Sequence, residues 1–115
     1  MGKNKKNNNP ALNRIIHEPA RLQIISYLAA GDKTVSFTEL SEKLGFSSGN
    51  LSVQLKKLEE AGYVSIAKSF RNNRPLTSVS LTSRGMKALK LYLQDLEFII
   101  DRVKDSVQTQ ENDQA

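Results

Sequence analysis

Residues 38–62, TELSEKLGFSSGNLSVQLKKLEEAG, decide the fold. Thr38 stands where an N-cap belongs, Leu40 and Leu44 lie four apart, and Gly45 ends the segment, which predicts a short helix over 38–44. Phe46 sits in the place of a hydrophobic staple, and Ser47 or Ser48 caps a second helix over about 48–61. Leu51, Leu55 and Leu58, spaced four and three, give this second helix one buried stripe, and Ala61–Gly62 closes it.

Outward from this pair the pattern stays dense. Upstream, residues 18–30, EPARLQIISYLAA, read as a helix with Pro19 in its first turn and Gly31 as its stop, preceded by a short helical segment, ALNRIIH. Residues 35–37, VSF, form a brief strand. Downstream, Tyr63–Lys68 and residues 76–81, LTSVSL, alternate as two strands around a basic turn, SFRNNRP (69–75). Thr82 caps a last long helix. Its apolar residues Met86, Leu89, Leu93, Leu96, Ile100, Val103 and Val107 alternate gaps of three and four, a heptad seam. From Thr82 to Val107 that helix is about 39 Å long at 1.5 Å per residue. The fold class is mainly α with a small β-hairpin (α+β). The 115 residues make one domain over 10–108, between a basic arm (1–9) and a tail (109–115) that both read as disordered.

Composition narrows the function. With no Cys and one His, thiolate zinc sites, thiol catalysis and multi-histidine metal sites are excluded. No apolar run approaches the roughly 20 residues of a membrane-spanning helix, and MGKNKKNNNP lacks the apolar stretch of a secretory signal, so a cytoplasmic protein is expected. No carboxylate pair, phosphate-binding glycine loop or nucleophile–base set stands out, so no enzyme and no cofactor is expected. The net charge of +5 is unevenly placed. Residues 1–17 carry four bases and no acid, and residues 63–90 carry six bases and no acid, whereas residues 91–115 carry six acids against two bases. One end of the molecule suits an anionic polymer and the other avoids it.

The close-set pair of short helices has the spacing of a helix-turn-helix, and the hairpin after it would be a wing. FTELSEKLGFSSGNLSVQLKKLEEAGYV followed by FRNNRPLTSVSLTSRG resembles the winged-helix transcriptional regulators of bacteria and archaea, close to the MarR/ArsR-like group and its small single-domain members. The resemblance covers about residues 12–100. It implies a winged helix-turn-helix with a long C-terminal dimerisation helix, double-stranded DNA as partner, and helix 48–61 in the major groove with wing 69–76 on the minor groove or backbone. Asn50 and Gln54 are the base readers, since their amides can pair with adenine. Ser47, Ser48 and Ser52 can reach bases or phosphates, and Gly49 allows close backbone approach. Val53 departs from the Arg or polar residue of many relatives and suits a thymine methyl. Thr38, Lys57 and Lys68 are phosphate candidates, and Arg71, Asn72, Asn73 and Arg74 form the wing tip.

The distal heptad seam has nothing within so small a domain to cover it. A homodimer is therefore expected through Leu89, Leu93, Leu96, Ile100, Val103 and Val107, with Leu12 and Ile16 added. His17 and Arg21 read as packing or capping residues. A small-molecule effector is not indicated; Tyr27 and Tyr92, the aromatics that could meet one, read more simply as core. The competing reading is a winged helix that docks proteins and not DNA.

Overall fold

A computed structural model of the chain describes residues 10–114, with side chains to Thr109. The order is α1 (Pro19–Ala30), β1 (Thr34–Ser36), α2 (Phe37–Leu44), α3 (Ser48–Glu60), β2 (Val64–Arg71), β3 (Arg74–Leu81) and α4 (Ser83–Gln114). The strands form one antiparallel sheet in the order β1-β3-β2, so the brief first strand pairs with the far strand of the hairpin, Val35 opposite Val79.

Two apolar clusters share α1. Ile24 and Leu28 join Leu40 of α2, Leu51, Leu55 and Leu58 of α3, and Val35, Val64 and Val79 of the sheet. Ile25 faces the other way and joins Ile16, Leu89 and Tyr92, which fasten α4 to α1. A helix with apolar residues on two sides is the one sandwiched between layers. Tyr63 and Leu81 touch both clusters and tie them together.

Local chemistry fixes the boundaries. Ser36, not Thr38, caps α2: its Oγ accepts from the Glu39 N–H at 3.0 Å, and Thr38 lies exposed inside the first turn. Phe37 is thus helical, not the end of a strand. Ser47 caps α3 by accepting from the Asn50 N–H. Behind α3, Gly62 (φ +83°) donates to the Glu59 carbonyl and Tyr63 to that of Leu58, the double bond of a Schellman stop. Thr82 caps α4, accepting from the Gly85 N–H and donating to the Gly62 carbonyl.

Three further expectations are corrected. Residues 11–17 form a single turn and not a helix, because Asn13 Oδ1 binds the N–H groups of Ile15 and Ile16, and Pro19 holds Glu18 extended. The strands run on from 68 to Arg71 and back to Arg74, leaving Asn72 and Asn73 as a two-residue turn, both at positive φ (53° and 63°). Asparagine accepts this left-handed conformation more readily than most residues, and the turn matches the twist of a hairpin. Finally, α4 does not end near 108 but continues to Gln114. Residues 109–114 contain no glycine or proline stop, and Thr109 Oγ1 bonds back to the Asp105 carbonyl, so an existing helix simply propagates. The basic arm expected over residues 1–9 lies outside the described residues.

Candidate nucleic-acid interface

The helix-turn-helix buries Leu51, Leu55 and Leu58 of α3 and leaves Ser47, Ser48, Gly49, Asn50, Ser52, Val53 and Lys57 exposed on its other faces. Val53 is half exposed (51%), an apolar side chain on an otherwise polar face. At Gly49 an added Cβ would meet nothing within 4 Å, and its φ is not positive. Nothing in the chain's own packing requires glycine there, although glycine weakens a helix relative to alanine.

The amides of α3 are held from behind by Arg21, expected from the sequence to pack or cap. Arg21 of α1 donates through Nε to the Ile15 carbonyl (2.7 Å) and through Nη1 to Gln54 Oε1 (2.8 Å). Gln54 Nε2 in turn donates to Asn50 Oδ1 (3.1 Å). Gln54, half-buried, is therefore engaged at both ends of its amide. Asn50, fully on the surface, presents its N–H2 end outward because Gln54 holds its oxygen. The two amides expected to read bases in parallel thus stand in series.

The ladder sorts the wing residues by face. Val64, Ile66, Lys68 and Phe70 alternate with Ser65, Ala67, Ser69 and Arg71 along β2, opposite Leu81, Val79, Thr77 and Pro75 on the same side. Buried Val64 and Val79 place the first set toward the core and α3. Lys68 therefore faces the open groove of about 530 Å3 between α3 and the wing, which Ser52, Lys56, Glu59 and Thr77 also line. Arg71 and Arg74 pair across the ribbon on its opposite face and flank the Asn72–Asn73 turn. The candidate face thus has polar amides at α3, Lys56, Lys68 and Glu59 in the groove, and arginines on the outer wing.

Phe70, which no sequence motif singles out, is 76% exposed on the α3 side of the ribbon. The signal was available: once Asn-Asn is read as a two-residue turn, Phe70 falls in register on the inner face.

The dimerisation residues divide. Ile16 (0% exposed) and Leu89 (4%) belong to the chain's own core, and Leu12 and Leu96 pack against it. Leu93, Ile100, Val103 and Val107 remain exposed, with Leu91 and Phe98 beside them. Arg102 lies over the Phe98 ring at 5.5 Å. His17 Nδ1 meets the Tyr92 hydroxyl at 2.6 Å, joining the N-terminal turn to α4, and burial pushes the Tyr92 pKa up. Tyr27 donates to Glu39 at 2.7 Å, clasping α1 to α2, and this bond, then burial, then the charges of Glu39 and Asp32, raise its pKa. The two tyrosines serve different contacts within the fold. Among the described residues no group of three His, Asp or Glu is placed to hold a metal, and no helix is long and apolar enough to cross a membrane.

A helix-turn-helix followed by a basic two-stranded ribbon and a long helix is the winged-helix architecture. Comparison with known proteins agrees. Residues 20–100 match the family described as winged helix DNA-binding domain, and the chain belongs to that family. An uncharacterised protein of Methanocaldococcus jannaschii is 36% identical over 83 residues, covering 72% of this chain and 89% of that protein. The structure of a transcriptional regulator homologue from Pyrococcus horikoshii superimposes with a TM-score of 0.75 at 31% identity, over 79% of this chain and 89% of that one. An ArsR family transcriptional regulator shares the fold at 15% identity (TM-score 0.55, 76% and 90% covered). The winged-helix resemblance read from the sequence holds, and the likeness to the ArsR family regulator is one of fold.

Proposed function

We propose that this chain is a dimeric, sequence-specific transcriptional regulator that represses by occupying a near-palindromic operator. In this reading α3 enters the major groove, and Asn50 donates from its N–H2 group to an acceptor on a base edge. Ser47, Ser48, Ser52, Thr38 and Lys57 contact bases or phosphates around it. Val53 meets a thymine methyl, and Lys68 reaches a phosphate within the groove beside the wing. Arg71, Asn72, Asn73 and Arg74 contact the backbone or minor groove. The observation that carries the reading is Gly49: a helix-weakening residue, unneeded for packing, sits on the exposed N-terminal half of α3 where DNA backbone and bases would come close.

The test is selection from a random double-stranded DNA pool with the purified chain. The expected product is a near-palindrome with half-sites about 34 Å apart, one helical turn. Recovery of no preferred sequence, with only weak salt-sensitive retention, would refute sequence-specific regulation and turn attention to the protein-docking reading.

A further inference from the structure

We propose that Phe70, backed by Pro75, is an apolar tip that enters the minor groove of the bound DNA and packs against sugars and base edges there. The inference rests on the DNA-binding reading above and adds a contact to it. Phe70 is the most exposed large apolar side chain among the described residues. Exposed apolar residues are common singly, but this one is held in place. It pairs across the ribbon with Pro75, one step behind the Arg71–Arg74 pair that brackets the turn. In a two-residue hairpin the bracketing pair exchanges the hydrogen bonds, so Phe70 and Pro75 form the next, closer pair, in which side chains touch most easily. Pro75 needs no hydrogen on its nitrogen there, because β1 pairs only with Ser78–Ser80 and leaves that edge of β3 open.

Charge selects the occupant. Lys68, Arg71 and Arg74 surround the tip, and no acid occurs between residues 63 and 90. A complementary partner must be strongly anionic and yet offer an apolar surface. The minor groove does both: phosphates line its rims, and deoxyribose and base edges line its floor. The arginines on the outer face of the ribbon can hold the rim while the ring on the inner face turns inward. Apolar side chains of this kind partly unstack base steps and bend the duplex.

The test uses the duplex recovered by the selection above. The chain has no tryptophan, so F70W carries the sole indole. Its emission should be quenched and shielded from acrylamide when the duplex binds, as followed independently by the anisotropy of labelled DNA, and should stay unmoved with heparin, a polyanion without bases. F70A should melt at the temperature of the unsubstituted chain, lose about five- to a hundredfold in affinity, the scale of a lost aromatic–base contact, and keep the same slope of log affinity against log salt, because an apolar contact releases no counterions. An unchanged F70A affinity, or an F70W emission that does not respond on bound DNA, would overturn the inference and leave the DNA-binding reading intact. So would an equal response to heparin, or a loss in F70A with a reduced salt slope. A chain that recovers no duplex at all would overturn both.

Discussion

At the residue scale, Gly49 offers a test that separates folding from the proposed function. Replacing it with alanine should stabilise α3, by up to about 1 kcal/mol, since the new methyl meets nothing and the unfolded chain loses freedom. The same methyl should weaken DNA binding if the helix backbone is approached closely. Thermal melting and binding to labelled duplex, measured on one G49A sample, test this; a variant that is more stable and binds equally well would remove Gly49 from the interface. Asn50→Ala should relax the preference at one position of the selected site by roughly 1–3 kcal/mol while other positions keep theirs. The Arg21 bond adds a companion expectation. R21M, which keeps the stem and loses the donors, should release Gln54 and blur the same position, although Arg21 belongs to another helix. Repeating the selection with each variant decides it, and a wild-type profile from R21M would break the proposed series. The exposed residues of α3 were legible in the sequence because the leucine spacing leaves only one buried stripe. The Arg21 contact was not, since residues 21 and 54 are brought together only by the crossing of α1 over α3, which no local pattern encodes.

At the element scale, the helix-turn-helix was readable because glycines close α2 and α3, the start of α4 because Thr82 caps it, and the hairpin in outline, whereas the far end of α4 carries no stop signal. Its true reach was hidden by composition: SFRNNRP looks like loop, yet alternation continues through it up to the two asparagines. Gly85 was equally hidden. It lies in the first turn of α4 against the end of β3, where a Cβ would stand 2.2 Å from the Tyr63 carbonyl oxygen and 2.8 Å from Leu81 Cδ1. That carbonyl also accepts the Thr82 N–H at the cap of α4, so it cannot retreat without disturbing the joint between hairpin and helix. G85A should therefore destabilise the fold by about 1–3 kcal/mol, the usual scale of overpacking, read as a lower Tm or denaturant midpoint. A melting temperature equal to the parent's would mean that the joint yields freely. Because this joint also sets where the wing projects from α4, the surviving folded fraction should bind DNA with a changed wing contribution, visible as a lower salt slope.

At the scale of the whole molecule, α4 extends well beyond the body it is anchored to, giving a longest dimension of 66 Å. Its 32 residues span about 48 Å. Anchoring to α1 uses Leu89, Tyr92 and Leu96, after which Ile100, Val103 and Val107 continue the seam in the open at 44%, 56% and 47% exposure. A seam of this length in water favours self-association, and a second copy offers the matching stripe. The heptad and its uncovered distal half were visible in the sequence, but the point of division was not: Leu96, expected at the dimer interface, packs against the chain's own core. The division sharpens the expected interface: Ile16 and Leu89 serve the chain's own core, and the free distal half is left for a partner. Changing Ile100 and Val103 together to lysine should leave the melting of the body nearly unchanged, since neither side chain is part of either core. It should nevertheless convert a dimer to a monomer in sedimentation. On DNA, the variant should bind an isolated half-site as the parent does but lose the parent's extra affinity for the full palindrome, where two linked heads engage together. A parent that sediments as a monomer at micromolar concentration, or a double variant that still gains from the second half-site, would refute dimerisation through α4.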